Sequence, residues 1–135
     1  MLATMKILSD LQTRHMLTVK PENSLHHVAR LMADRDVGSA VVVENGEIGG
    51  IVTERDLLRS AGEGRDFDKE TVAAIMTRDV VTAEPGWDVL KAARTMTEGG
   101  FRHLLVVDAD DSPVGIVSVR DLIDAMAELI QEAPA

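Results

Sequence analysis

GIVTERDLLR occupies residues 50–59 and GIVSVRDLID residues 115–124. The phrase Gly-Ile-Val-(Thr/Ser)-x-Arg-Asp-Leu thus returns after 65 positions. A phrase of this length, repeated at a period typical of a supersecondary unit, points to internal duplication. Its Ile-Val pair reads as the end of a strand. Its (Thr/Ser)-x-x-Asp then reads as the start of a helix, because hydroxyl and carboxylate at this spacing can satisfy the first free helix amides reciprocally.

Working outward, a shift of 64 extends the match. Thr13-Arg14 falls on Thr77-Arg78, Thr18 on Thr82, Pro21 on Pro85, Ala29-Arg30 on Ala93-Arg94, Met32 on Met96 and Val42-Val43 on Val106-Val107. The change of offset from 64 to 65 puts one extra residue between Val107 and Gly115, where ENGEIG faces DADDSPV; both read as turns. Each copy spells the same elements. Met16–Val19 and Val80–Ala83 are short extended segments. Ser24 and Asp88 are N-caps for helices whose apolar residues (Leu25, Val28, Ala29, Met32; Val89, Ala92, Ala93, Met96) follow helical spacing. Ala40–Val43 with Ile48–Val52, and Leu104–Val107 with Val114–Val117, are hairpins. An amphipathic helix closes each unit, from Leu57 onward and over Leu122–Ile130. The predicted class is α+β: two β-α-β-β-α repeats packed about a pseudo-two-fold axis. Repeat 1 spans 7–62, a polar linker 63–71, and repeat 2 spans 72–131. A unit of about 60 residues buries too little surface to stand alone, so the two are expected to share a core and to present two similar facing clefts.

Composition limits the function. The 135 residues carry a formal net charge of −9, which argues against nucleic-acid or anionic-membrane partners. Cysteine is absent, which excludes disulfides, zinc–thiolate centres and cysteine nucleophiles. No apolar run approaches the ~20 residues of a membrane span, and MLATMKILSD lacks a signal peptide's apolar core, so the reading is cytoplasmic. No Walker or G-x-G-x-x-G sequence occurs, and no nucleophile has a base partner in sequence, so an enzyme is not expected. Asp108, Asp110 and Asp111 read as turn residues, His26 and His27 as exposed, and Trp87 as a packing residue. No metal site is expected.

The (Thr/Ser)-x-x-Asp admits two readings. It can be a helix cap and nothing more. It can also be a binding element, since a helix N-terminus favours anions and a carboxylate there can accept both hydroxyls of a ribose. The glycine before it would let backbone approach closely.

Taken together, GIVTERDLL, GIVSVRDLI, the IMTRDVVTAEP stretch and the 64–65 residue repeat resemble a tandem pair of CBS domains, named for cystathionine β-synthase. The resemblance covers about residues 7–130. It implies a non-enzymatic regulatory module that binds an adenosine compound, AMP, ADP or ATP, in clefts between the repeats. Such a module signals to an effector protein by conformational change, commonly as a homodimer. By that resemblance Asp56 and Asp121 hold ribose, with Thr53 and Ser118 on ribose or phosphate. Adenine would lie against Thr18, Val19, Val37, Gly38, Ser39, Ala40 and Ile51 in the first repeat, and Thr82, Ala83, Phe101, Leu104 and Ile116 in the second. Arg102, His103, Arg120 and Arg55 would face phosphate, with the second repeat as the more basic end. No cofactor is required beyond the nucleotide, with or without magnesium. Where the family commonly has proline, this chain has Val41 and Leu105. Two alternatives stand beside this reading: a dimerisation module with empty sites, and a sensor of S-adenosylmethionine or NADH.

Overall fold

The structure, a computed structural model, describes residues 6–11 and 16–132. Thr13 and Arg14 of the repeat match lie outside the described residues. The elements run α1 (Leu8–Leu11), β1 (Thr18–Val19), α2 (Leu25–Arg35), β2 (Ser39–Glu44), β3 (Glu47–Thr53), α3 (Glu54–Gly62), a 3-10 turn (Val72–Ala74), β4 (Thr82–Ala83), α4 (Val89–Gly99), β5 (His103–Val107), β6 (Pro113–Ser118) and α5 (Val119–Glu132). The fold is α+β, and β-α-β-β-α occurs twice, as expected from the sequence. Each repeat forms a three-stranded sheet, β1-β2-β3 and β4-β5-β6. The first two strands of each are parallel, joined through a helix, and the last two are an antiparallel hairpin.

Local chemistry accounts for the boundaries. Ser24 caps α2 by accepting from the His27 amide at 3.1 Å, and Asp88 caps α4 by accepting from the Lys91 amide at 2.8 Å. Asn45 and Gly46, with φ of 53° and 79°, form the tight turn between β2 and β3, whose twist matches the strands it joins. The β5–β6 turn is longer; there Asp108 Oδ1 accepts from the amides of Asp110 and Ser112 at 2.9 and 3.0 Å, and no metal role is needed to explain the acidic run. The closing helices begin at Glu54 and Val119, three residues before the leucines where apolar periodicity becomes visible, because their first turns are held by the Thr53–Asp56 and Ser118–Asp121 caps rather than by an apolar stripe.

Two compact units result, Met16–Val80, and Val81–Ala135 with Met1–His15. They are not cut where the sequence repeats are. In the first, Val72, fully buried, and Met76 join a core of Leu17, Val19, Leu25, Val28, Met32, Ala40, Val42, Val52 and Leu57. In the second, Leu8 is fully buried among Ala83, Val89, Ala92, Met96, Leu104, Val106, Val117, Leu122 and Ala125. Full burial of such an aliphatic side chain contributes roughly 1.5–3 kcal/mol. The two additions are equivalent under the 64-residue shift. The Val72 amide donates to Asn23 O at 2.8 Å and the Leu8 amide to Trp87 O at 2.9 Å; the Ala73 amide donates to Pro21 O at 3.1 Å and the Ser9 amide to Pro85 O at 3.0 Å. Each unit is therefore completed by the segment that precedes the other repeat's first strand. Residues 63–71 are held in place as well. Their Phe67 and Glu70 carbonyls accept from the His26 and Leu25 amides at 2.9 and 3.0 Å, covering the start of α2.

Gly50 serves this arrangement. Ile51 and Thr77 exchange backbone hydrogen bonds at 3.0 and 2.9 Å, extending the sheet beyond β3. A Cβ on Gly50 would lie 2.6 Å from Thr77 O and 3.0 Å from Met76. The backbone that approaches this glycine is thus the chain's own 76–77 segment.

Candidate functional site

Each repeat ends its hairpin at a hydroxyl residue that opens a helix. Thr53 stands at the N-cap of α3 in extended conformation, with φ −120° and ψ 166°. Its amide donates to Asp56 Oδ2 at 2.9 Å, its hydroxyl donates to the same oxygen at 3.1 Å, and the Asp56 amide donates to Thr53 Oγ1 at 3.3 Å. In the second repeat the Ser118 amide and hydroxyl donate to Asp121 Oδ2 at 2.8 and 3.0 Å, and the Asp121 amide donates to Ser118 Oγ at 3.3 Å. Both are complete capping boxes, with Asp in place of the longer Glu or Gln. The cap uses Oδ2 alone. Oδ1 of Asp56 faces Arg59 Nη1 at 3.6 Å. Oδ1 of Asp121 has no protein partner among the described residues.

The preceding loop is tied to the same helix end. Gly38 O accepts from the Glu54 amide, and Arg102 O from the Val119 amide, each at 2.9 Å. Residues 38–39 and 102–103 are thereby fixed beside the carboxylates. Two of the first three amides of each helix, at its first and third positions, are already used by the chain itself.

Strand register decides which predicted residues share a surface. Thr18 pairs with Val41, Val41 with Ile51, and Ser39 with Thr53. These side chains lie on one face of the first sheet, and Asp56 lies at its end. The corresponding face of the second sheet carries Thr82, Leu105, Ile116, His103 and Ser118, with Asp121 at its end. Val19 and Ala40, and Ala83 and Leu104, point the other way into the two cores, so only their backbones are available on this face. Val37 and Phe101 also pack against those cores. The Phe101 ring covers Gly99 so closely that a Cβ there would lie 1.9 Å from a ring carbon. Arg55, Arg102 and Arg120 are exposed, and His103 is half-buried.

Three members of these faces are not among the predicted site residues, although the sequence marks Val41 and Leu105 as departures from the family's proline. Val41 and Leu105, fully buried yet in neither core cluster, form the centre of each face. Thr77, paired beside Ile51, adds a hydroxyl residue at the edge of the first. The Thr-Arg match in the repeat was the available signal for Thr77; its partner strand was not deducible from spacing.

The chemistry of the arrangement is that of recognition: a carboxylate with spare lone pairs at a helix N-terminus, beside hydroxyls and an apolar strip. Among the described residues no group of three or more His, Asp or Glu side chains could hold a metal ion, and no helix is long and apolar enough to cross a membrane.

The family model for the CBS domain matches residues 8–63 and again 72–128. The chain belongs to the CBS domain family. A CBS domain-containing protein of Bacillus subtilis is 34% identical over 119 residues, spanning 87% of this chain and 84% of its own. Among solved structures, a CBS-domain protein of Agrobacterium tumefaciens superimposes with a TM-score of 0.82 at 30% identity, covering 89% of this chain and 92% of that one. A CBS domain protein of Pyrobaculum aerophilum, solved in complex with AMP, superimposes with a TM-score of 0.81 at 27% identity, covering 93% and 99%. The CBS pair seen in this chain is thus the arrangement of relatives that consist of little else.

Proposed function

We propose that this CBS pair is a non-enzymatic regulatory module that binds an adenosine-containing ligand, AMP, ADP or ATP, and passes the bound state to an effector protein by conformational change. The observation that carries the reading is the pair of matched carboxylates. Asp56 and Asp121, at the ends of the two site faces, each spend Oδ2 on a helix cap, which leaves Oδ1 as the freer acceptor. A carboxylate so placed can accept the two hydroxyls of a ribose, while the strip formed by Ile51 or Ile116 offers an apolar surface to a flat base. Arg102, His103 and Arg120 supply cationic and hydrogen-bonding groups for a phosphate in the second repeat; Arg55 does so in the first. The AMP complex of the Pyrobaculum relative supports this choice of ligand class. Magnesium would enter only with a polyphosphate. S-adenosylmethionine and NADH share the adenosine and remain within the same reading.

One observation favours a second reading. Both capping boxes are complete without any ligand, so the aspartates could serve structure alone, in a dimerisation module with empty sites. A thermal-shift panel on ligand-stripped protein decides between them, using adenine and guanine nucleotides, S-adenosylmethionine and NADH. A ligand at about 100 times its dissociation constant adds about 2.7 kcal/mol. Stabilisation by adenine compounds but not guanine compounds supports the sensor. No stabilisation by any member of the panel supports the empty module.

A further inference from the structure

The two repeats prepare their carboxylates alike and then treat the remaining oxygen differently. In α3, Arg59 follows Asp56 by one helical turn, its Nη1 3.6 Å from Oδ1. Under the 65-residue shift the same place in α5 is Asp124, one turn after Asp121. The cap leaves Oδ1 as the freer acceptor in both repeats. In the first repeat that acceptor already faces a guanidinium, which occupies one approach and partly neutralises the carboxylate. In the second the residue at that helical position is Asp124, which has neither a donor nor a positive charge to offer the Asp121 carboxylate.

We propose that Arg59 is a specificity-determining residue. It makes the first repeat the weaker site for a vicinal diol, so that the second repeat, with Asp124 in its place, fills first. The proposal rests on the ribose reading of Asp56 and Asp121. Its size is bounded by the exposure of the pair, 63% for the Arg59 side chain and 16% for Asp56. Exposed ion pairs shift equilibria by at most about five-fold.

Adenosine is the suitable probe, because it carries the diol without a phosphate on which Arg59 could act directly. Calorimetry on the full chain is run in two backgrounds. Asp121→Ala isolates the first repeat, and Asp56→Ala isolates the second. Arg59→Ala is expected to tighten adenosine binding about two- to five-fold in the first background and to leave it unchanged in the second. Asp124→Arg in the Asp56→Ala background is expected to weaken binding by a similar factor. Unchanged or weaker adenosine binding after Arg59→Ala in the first background overturns the proposal while leaving the ribose reading intact. Failure of the unsubstituted protein to bind adenosine or any adenine nucleotide removes the ribose reading itself, and this inference with it.

Discussion

Asp121 holds Ser118 twice with one atom: Oδ2 accepts the Ser118 amide at 2.8 Å and its hydroxyl at 3.0 Å. These bonds make the carboxylate a helix cap; on the proposed reading it is a ribose ligand as well, and loss of binding alone cannot separate the two roles. The cap is worth roughly 0.5–2 kcal/mol and is blind to ligand chemistry. A ribose contact depends on the hydroxyls, and charge-assisted bonds of this kind run about 1.5–3 kcal/mol. Asp121→Ala is expected to lower the ligand-free melting point modestly and to reduce stabilisation by AMP sharply. A 2′-deoxy analogue is expected to bind the unsubstituted protein at least about tenfold more weakly, or about 1.4 kcal/mol. Equal binding of the deoxy and ribo forms would show that the carboxylate only caps.

Gly50 and Gly49 are adjacent and should respond differently to alanine. A Cβ on Gly50 meets the Thr77 carbonyl at 2.6 Å, whereas one on Gly49 finds its nearest neighbour at 3.5 Å. Overpacking of this kind costs about 1–3 kcal/mol. Urea denaturation should show Gly50→Ala destabilised by that order and Gly49→Ala close to the unsubstituted protein.

Asp36 ends α2 in the left-handed conformation, with φ 52°, and Gly100 ends α4 at the equivalent position, with φ 71°. An L-residue in this conformation costs about 1–2 kcal/mol, and a carboxylate at a helix C-terminus is further disfavoured by the dipole. Glycine's extra chain entropy returns about 0.5–1 kcal/mol of that. Asp36→Gly is expected to stabilise by about 0.5–1 kcal/mol net, and Gly100→Asp to destabilise, both read from denaturant midpoints.

Leu8 belongs to a helix of only four residues yet is fully buried. Leu8→Ala is expected to cost about 2–5 kcal/mol, as for a central core residue. A fragment of residues 72–131 should fold poorly for the same reason. A melting point for Leu8→Ala within a degree of the unsubstituted protein would contradict the packing of this segment.

Along α5, Ile123, Met126 and Ile130 are 59%, 50% and 73% exposed, while Leu122 turns into the core. An apolar row at this spacing on one helix suits a second helix. The expected state is a homodimer joined through this face. Light scattering at micromolar concentration should give twice the chain mass, and Met126→Lys with Ile130→Lys should halve it. A monomer before substitution removes the claim.

The sequence by itself determined the duplication, the order of elements in each repeat and the helix caps. Those features are local. Ser24, Asp88, Thr53 and Ser118 act on amides within three residues, and apolar periodicity reports only the face its own segment buries. Tertiary structure decided the rest. Pairing Thr18 with Val41 sets Thr18, Ser39, Val41 and Ile51 on one face and sends Val19 and Ala40 into the core. A one-residue change of register would have exchanged those two sets, and spacing along a two-residue strand cannot choose between them. The burial of Leu8 beside residues from 83 onward, and of Val72 beside residues from 17 onward, depends on contacts between distant parts of the chain. A short apolar segment reveals that it must be covered; only the folded chain shows by which neighbours.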